Sequence, residues 1–220
     1  MNSYKVKRID TTFKIDSEWN KEPWSSIEAL SILEDNGWNM GYRPQVEVKI
    51  CYDDKNIYLI YRSNDQYVRC LTDKIHGPVW QDSCAEFFFA PNPEEPTSYF
   101  NLEINCGGTA LMSFHKLTRE NTTKISVEEI KSIQIAHSLP KIIEEEIKEP
   151  VVWTLEAALP LSLIEKYSVI KQPLNGTKWR ANFYKCAENN SFPHWISWNK
   201  IQNEKPAFHK PEFFGEIEFS

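Results

Sequence analysis

The sequence predicts an all-β fold, a two-sheet antiparallel β-sandwich of jelly-roll or immunoglobulin-like kind with minor helical turns. Three observations predict it. β-branched and aromatic residues recur in short runs bounded by Asn, Asp, Gly and Pro. About ten such runs follow one another at sandwich spacing. Helical character is confined to one short turn. The chain has 220 residues, with 13% aromatic residues and only 7 Gly. A chain of this length buries roughly 70% of its unfolded surface, enough for one core. With no internal repeat and no low-complexity linker, residues 1–220 read as a single domain.

Residues 45–52 (QVEVKICY) alternate, with Val46, Val48, Ile50 and Tyr52 on one face. Asp53 to Asn56 then turn the chain, and residues 57–62 return as the second strand of a hairpin. Residues 84–90 (CAEFFFA) are apolar on both faces apart from Glu86, the mark of a central strand, and Pro91 and Pro93 stop it. Residues 98–106 place Phe100, Leu102 and Ile104 on one face and Asn101, Glu103 and Asn105 on the other. Gly107 and Gly108 turn this strand into its partner at 109–115. The acidic segment 119–150 predicts exposed edge strands at 125–129 and 133–137 with a solvated loop. Residues 151–159 (VVWTLEAAL) form a strand, and 160–164 a helical turn with Pro160 near its start. Residues 178–186 alternate, sending Arg180, Asn182 and Tyr184 one way, and 213–219 close the sheet.

The strands carry unusual mid-strand polar groups. Glu86, Asn101, Glu103, Asn105, Arg180 and Asn182 all sit opposite an apolar face, so one sheet could present amides, carboxylates and an Arg together. Such a surface suits polyhydroxyl ligands, whose hydroxyls both donate and accept; an ordinary solvated sheet face is the plainer alternative. Tryptophan placement favours the ligand. Trp80 lies in the loop before the Glu86 strand, and Trp195 and Trp198 lie in the loop-like run 194–199. An aromatic face in a loop is a platform for sugar C–H groups.

Other chemistries find less support. Net charge −6 argues against nucleic acid as a partner, and no apolar run approaches the ~20 residues that span a bilayer. The N-terminal residues contain no signal-peptide core, so the chain reads as cytoplasmic as given, or secreted if it is a processed form. No nucleophile elbow, zinc-protease or phosphate-loop motif occurs. Cys51, Cys70, Cys84, Cys106 and Cys186 are an odd number with no closely spaced pair, and read as reduced, buried residues. Glu86, Glu103 and Glu156 could in principle supply the two carboxyls of an O-glycosyl hydrolase. Asp53, Asp54, Asp65 and Asp82 offer hard oxygen ligands for a structural calcium ion.

Four segments resemble, in order, the motifs of carbohydrate-binding module family nine. They are residues 52–59 (YDDKNIYL), 80–89 (WQDSCAEFFF), 153–160 (WTLEAALP) and 208–215 (FHKPEFFG). Asp16, Trp19 and Trp24 fit the family's opening. The resemblance spans nearly the whole chain. It implies a β-sandwich that holds sugar ends between two tryptophans and carries structural calcium. By position Trp80 and Glu86 match one tryptophan and its carboxylate, and Trp195 or Trp198 the second wall. Where the family has an Arg on the middle strand, this chain has Glu103 near Asn105.

The expectation is therefore a non-catalytic module that binds a mono- or oligosaccharide through Trp80, Glu86, Glu103, Asn105, Arg180, Asn182 and Trp195 or Trp198. It would support xylan or glucan catabolism, in association with a carbohydrate-active enzyme. The alternatives are a glycoside hydrolase resembling endo-1,4-beta-xylanases and a Trp-rich protein-interaction domain.

Overall fold

The computed structural model describes residues 1–39, 41–117 and 119–220. In chain order its strands are β1 (Ser3–Arg8), β2 (Leu30–Ile32), β3 (Gln45–Tyr52), β4 (Asn56–Asp65), β5 (Val68–Cys70), β6 (Cys84–Ala90), β7 (Tyr99–Asn105), β8 (Ala110–His115) and β9 (Thr122–Lys124). They continue with β10 (Gln134–His137), β11 (Ile143–Ile147), β12 (Val151–Pro160), β13 (Lys178–Ala187), β14 (His194–Ser197) and β15 (Gly215–Phe219), and two single helical turns, α1 (Val127–Ile130) and α2 (Leu161–Ile164), interrupt them. Among the described residues no helix is long and apolar enough to cross a membrane.

The strands make two sheets. One runs β10-β12-β4-β3, with β2 also on β3; the other runs β15-β13-β6-β7-β8-β9, with β14 also on β13. β1 joins them, pairing parallel to β15 through residues 3–6 and parallel to β3 through Lys7 and Arg8. The expected sandwich is thus present, but its seam is parallel rather than antiparallel. The small β5–β11 pair stands apart.

Alternation decides what each face does. Ile50, Leu59 and Leu155 of the first sheet meet Phe87, Leu102 and Phe183 of the second in the main core. Along the second sheet the rings of Phe183, Phe87, Phe89 and Phe100 stack at centroid spacings of 4.6–5.0 Å. The outer face of the first sheet is closed by the segment between β1 and β2, whose Trp19, Trp24 and Ile27 pack on Tyr58 and Ile60. Glu156 anchors this cover. Its carboxylate accepts the backbone N–H groups of Asp16 and Ser17 at 2.8 and 2.7 Å and the Trp24 indole N–H at 2.7 Å. The outer face of the second sheet carries its own apolar cluster around Phe88, Tyr99, Tyr184 and Phe208, and this face holds the site.

The sequence expectation fails locally where side chains override weak strand signals. Residues 125–129 are not a strand. Ser126 and Glu129 form a reciprocal capping box that starts α1, and pairing is limited to β9 just before it. Residues 134–137 do pair, as β10 at the edge of the first sheet. The Trp195 segment is not a loop but β14, paired residue by residue with the end of β13. Gly107 is required between β7 and β8 because a Cβ there would lie 2.1 Å from the Lys141 carbonyl oxygen.

One ion pair crosses the interior. Lys185 on β13, fully buried, places Nζ 3.2 Å from Asp65 Oδ2 on β4 and donates to His194 Nε2 at 2.7 Å. Burial opposes the charge on Asp65, yet Lys185, His194 and hydrogen bonds from Trp153 and Gln66 hold its carboxyl below the ordinary range.

Candidate functional site

The outer face of the second sheet opens into a cleft of about 390 Å³, within the roughly 300–1,000 Å³ range of small-molecule sites. Its floor comes from register. Glu86 on β6 lies directly opposite Glu103 on β7, which lies opposite Leu111 on β8; one step along, Phe88, Asn101 and Ser113 form the next row. All six line the cleft because residues two apart share a face. Two walls rise from outside these strands. Trp80 sits on the single turn Val79–Gln81, and Trp195 projects from β14. Each is held. The Trp80 carbonyl oxygen lies 3.4 Å from Cys186 Sγ, and the Trp195 indole N–H donates to Glu188 at 3.1 Å while its backbone N–H donates to Asn39 at 2.8 Å.

The floor is a buried hydrogen-bonded row. Asn101 Oδ1 accepts the Ser113 backbone N–H at 3.1 Å, which fixes the amide, and its Nδ2 donates to Glu103 Oε1 at 2.8 Å. His115 Nε2 lies 3.0 Å from the same Asn101 Oδ1 and therefore carries the ring proton, while Nδ1 lies 2.8 Å from the Thr122 hydroxyl oxygen. Glu103 Oε2 is buried with no partner. The Cys186 thiol meets Glu86 Oε1 at 3.0 Å. Burial, then the nearby Cys186 and Glu103, raise the Glu86 carboxyl well above the ordinary range. Burial likewise pushes Glu103 up to about 7, against the Asn101 hydrogen bond and the Arg119 charge. His115 and His209 are held down, to about 4 and about 3, first by burial and then by Arg119. Two neutral imidazoles and two carboxyls that resist ionisation thus surround one cleft.

Of the residues singled out from sequence, Trp80, Glu86, Glu103 and Trp195 meet here. The others are placed elsewhere. Asn105 shares the face of Glu86 but lies beyond the cleft, where its amide donates to Asp82 and Thr72 and its oxygen accepts from Thr109. Asn182 is buried against the Asn199 backbone. Arg180 donates to the Glu212 and Phe214 carbonyls, fastening the turn before β15. Trp198 packs edge-on against Phe183 in the main core. Glu156 lies on the opposite outer face of the molecule, within the segment that covers the first sheet, so it cannot act with Glu86 or Glu103.

The four aspartates do not fit a calcium ion. Asp53 accepts the Lys55 and Asn56 N–H groups and the Tyr58 hydroxyl; Asp54 pairs with Arg8 through both oxygens. Asp65 sits at the other end of β4, roughly 30 Å away at strand rise, bound to Lys185. Asp82 accepts the Leu71 and Thr72 N–H groups. Their oxygens already serve hydrogen bonds, and the four do not converge. Among the described residues one group brings metal-ligating atoms together, Cys84, Glu86 and Cys186, within 4.8 Å of one another. Burial pushes the Cys84 thiol up to about 12 and raises Cys186 as well, so both are held protonated.

Sequence reasoning missed His115, Phe208 and His209, which also line the cleft. His115 was readable from the alternation of β8. Phe208 and His209 arrive from a loop far along the chain, and no strand pattern marks them.

The family profile described as carbohydrate-binding family 9 matches residues 19–219. The fold is similar to the crystal structure of a candidate carbohydrate-binding protein from Bacteroides uniformis ATCC 8492, with TM-score 0.86 and 29% identity over 99% of each chain. It is also similar to a family 9 module from Caldicellulosiruptor kristjanssonii, solved with cellotriose and with glucose. Those two structures give TM-scores of 0.67 and 0.66 at 16% identity, over 99% and 100% of this chain and 93% and 96% of theirs. No curated protein matches the sequence.

Proposed function

The chain belongs to carbohydrate-binding family 9, and we propose that it binds a mono- or oligosaccharide in the cleft between β6, β7, β8 and β14, without cleaving it. The observation that carries this reading is that Trp80 and Trp195, from segments far apart in sequence, line the same cleft above two buried carboxyls. Indole faces take the C–H side of a sugar ring, and Glu86, Glu103 and Asn101 take its hydroxyls. The Caldicellulosiruptor module solved with glucose and cellotriose supports the ligand class. Binding rather than hydrolysis is favoured by the placement of the carboxyls. Glu86 and Glu103 stand side by side on one floor, whereas hydrolysis needs an acid and an ionised carboxylate flanking one bond. In the wider setting the module would hold xylan or glucan near a carbohydrate-active enzyme.

Calorimetric titration with glucose and cellotriose tests the reading. We expect affinities in the millimolar to micromolar range, as befits so small a contact. Trp195→Ala should weaken binding by about tenfold, roughly 1.4 kcal/mol. Absence of heat with any gluco- or xylo-oligosaccharide would overturn it.

A further inference from the structure

The cleft holds more acid than a neutral sugar calls for. Glu86, Glu103 and Glu188 line it against one cation, Arg119, and its two imidazoles are held neutral. Glu86 and Glu103 are cross-strand neighbours, 2% and 4% exposed. Each has one oxygen engaged, Glu86 Oε1 by the Cys186 thiol and Glu103 Oε1 by the Asn101 amide. Glu103 Oε2 is left buried and without a donor.

A desolvated carboxyl oxygen with no hydrogen-bond partner is costly, and more so once the group is ionised. A hydroxyl recovers part of that cost. A donor that brings its own positive charge recovers more, because it offsets the burial of the carboxylate as well as filling its hydrogen bond. The walls act in the same sense, since the face of an indole attracts a cation. We propose that the cleft selects a sugar bearing a protonated amino group, with the ammonium against Glu103 Oε2 and Glu86 beside it. The proposal rests on the cleft being a sugar site and names which sugar it prefers.

The choice carries a proton balance. In the free protein burial, with repulsion from Glu103 on Glu86 and from Glu188 on Glu103, favours protons on the pair. When an ammonium binds, the pair ionises and a proton passes to the buffer, while the amine keeps its own. The groups that face this pair are Cys186 and Glu188 from β13 and its end, His115 from β8, Arg119 from the turn after it, and His209 from the loop before β15. The Tyr61 hydroxyl reaches the Glu86 backbone, and Tyr184 lies opposite Glu86 on β13. Neither tyrosine ionises near neutrality, because burial raises both.

The test is calorimetry at pH 6.5 with glucosamine, glucose and N-acetylglucosamine, each in two buffers of different ionisation enthalpy. Glucosamine should bind at least about tenfold tighter than glucose, and its apparent heat alone should change with the buffer. N-acetylglucosamine, with the same nitrogen uncharged, should show neither effect. Glu103→Gln keeps the shape and the Asn101 hydrogen bond; with its fold checked by thermal melting, it should bring the glucosamine-to-glucose ratio close to one. Equal affinities, no buffer dependence, or an unchanged ratio in folded Glu103→Gln would each overturn the preference while leaving sugar binding intact. No binding of any of the three sugars would overturn the sugar reading itself, and the preference with it.

Discussion

Glu103 is a carboxyl placed where water cannot stabilise its charge, and the cost has a definite sign. Its folded value of about 7 stands above the ordinary 4.5. Between those values the native state holds a proton that the unfolded chain has lost, so this group's contribution to stability falls as pH rises from about 4.5 to about 7. The histidines oppose it. His115 and His209 lie below their ordinary 6.5, and their contribution is lost as pH falls from there. Both histidines persist in Glu103→Gln, so the difference between variant and parent isolates the carboxyl. That difference, measured by urea unfolding from pH 4.5 to 8, should grow in favour of the variant up to about pH 7 and then level off. A difference that stays flat with pH would contradict the burial cost. At this scale half of the expected residues, Trp80, Glu86, Glu103 and Trp195, reach the cleft. Strand alternation puts Glu86 and Glu103 on one face, and it puts Asn105 and Asn182 there too, because alternation names a face and not the stretch of it left uncovered. The choice between Trp195 and Trp198 was hidden by reading their segment as a loop. In an extended chain residues three apart face opposite sides, which sends Trp195 to the cleft and Trp198 to the core.

Strands with a sustained side-chain pattern, alternating or apolar throughout, were found close to their true bounds. β3 and β6 match the sequence expectation residue for residue, and β4, β7, β8, β12 and β13 differ by a few residues at their ends. Those that escaped detection have little side-chain signature. β1 buries only Val6 among its six residues, so nothing in its pattern separates it from a polar loop; it is a strand because β15 and β3 offer it partners on both sides. β5 and β2 are three residues each, too short to show a period. That account makes Val6 the one fully buried side chain of β1, with Tyr4 packed beside it and Arg8 paired to Asp54. Val6→Asp should cost about 3 kcal/mol or more by burying an unpaired charge. The thermal midpoint should drop by roughly 6–12 °C. An unchanged midpoint would mean that burial of Val6 adds nothing to what holds β1.

Across the molecule the two sheets meet through an apolar core with one ionic rivet, the Lys185 and Asp65 pair between β13 and β4. Removing one partner of a buried pair strands the other's charge. Lys185→Met should therefore destabilise by about 3–5 kcal/mol, read as a lower urea midpoint, and replacing Asp65 by Asn in the same chain should restore part of the loss. No recovery in the double variant would mean that the lysine acts through packing alone. The outer face of the first sheet is sealed by the segment between β1 and β2 and that of the second opens into the cleft, so the molecule has a closed back and an open front. The seam also sets how the protein answers a pull. β1 and β15 run parallel, with Ser3 beside Glu216 at one end and the Arg8 N–H bonded to the Ser220 carbonyl at the other. Drawing the two chain ends apart slides these strands along each other rather than peeling them open. Their hydrogen bonds then resist together instead of failing one by one, and the terminal strands act as a shear clamp.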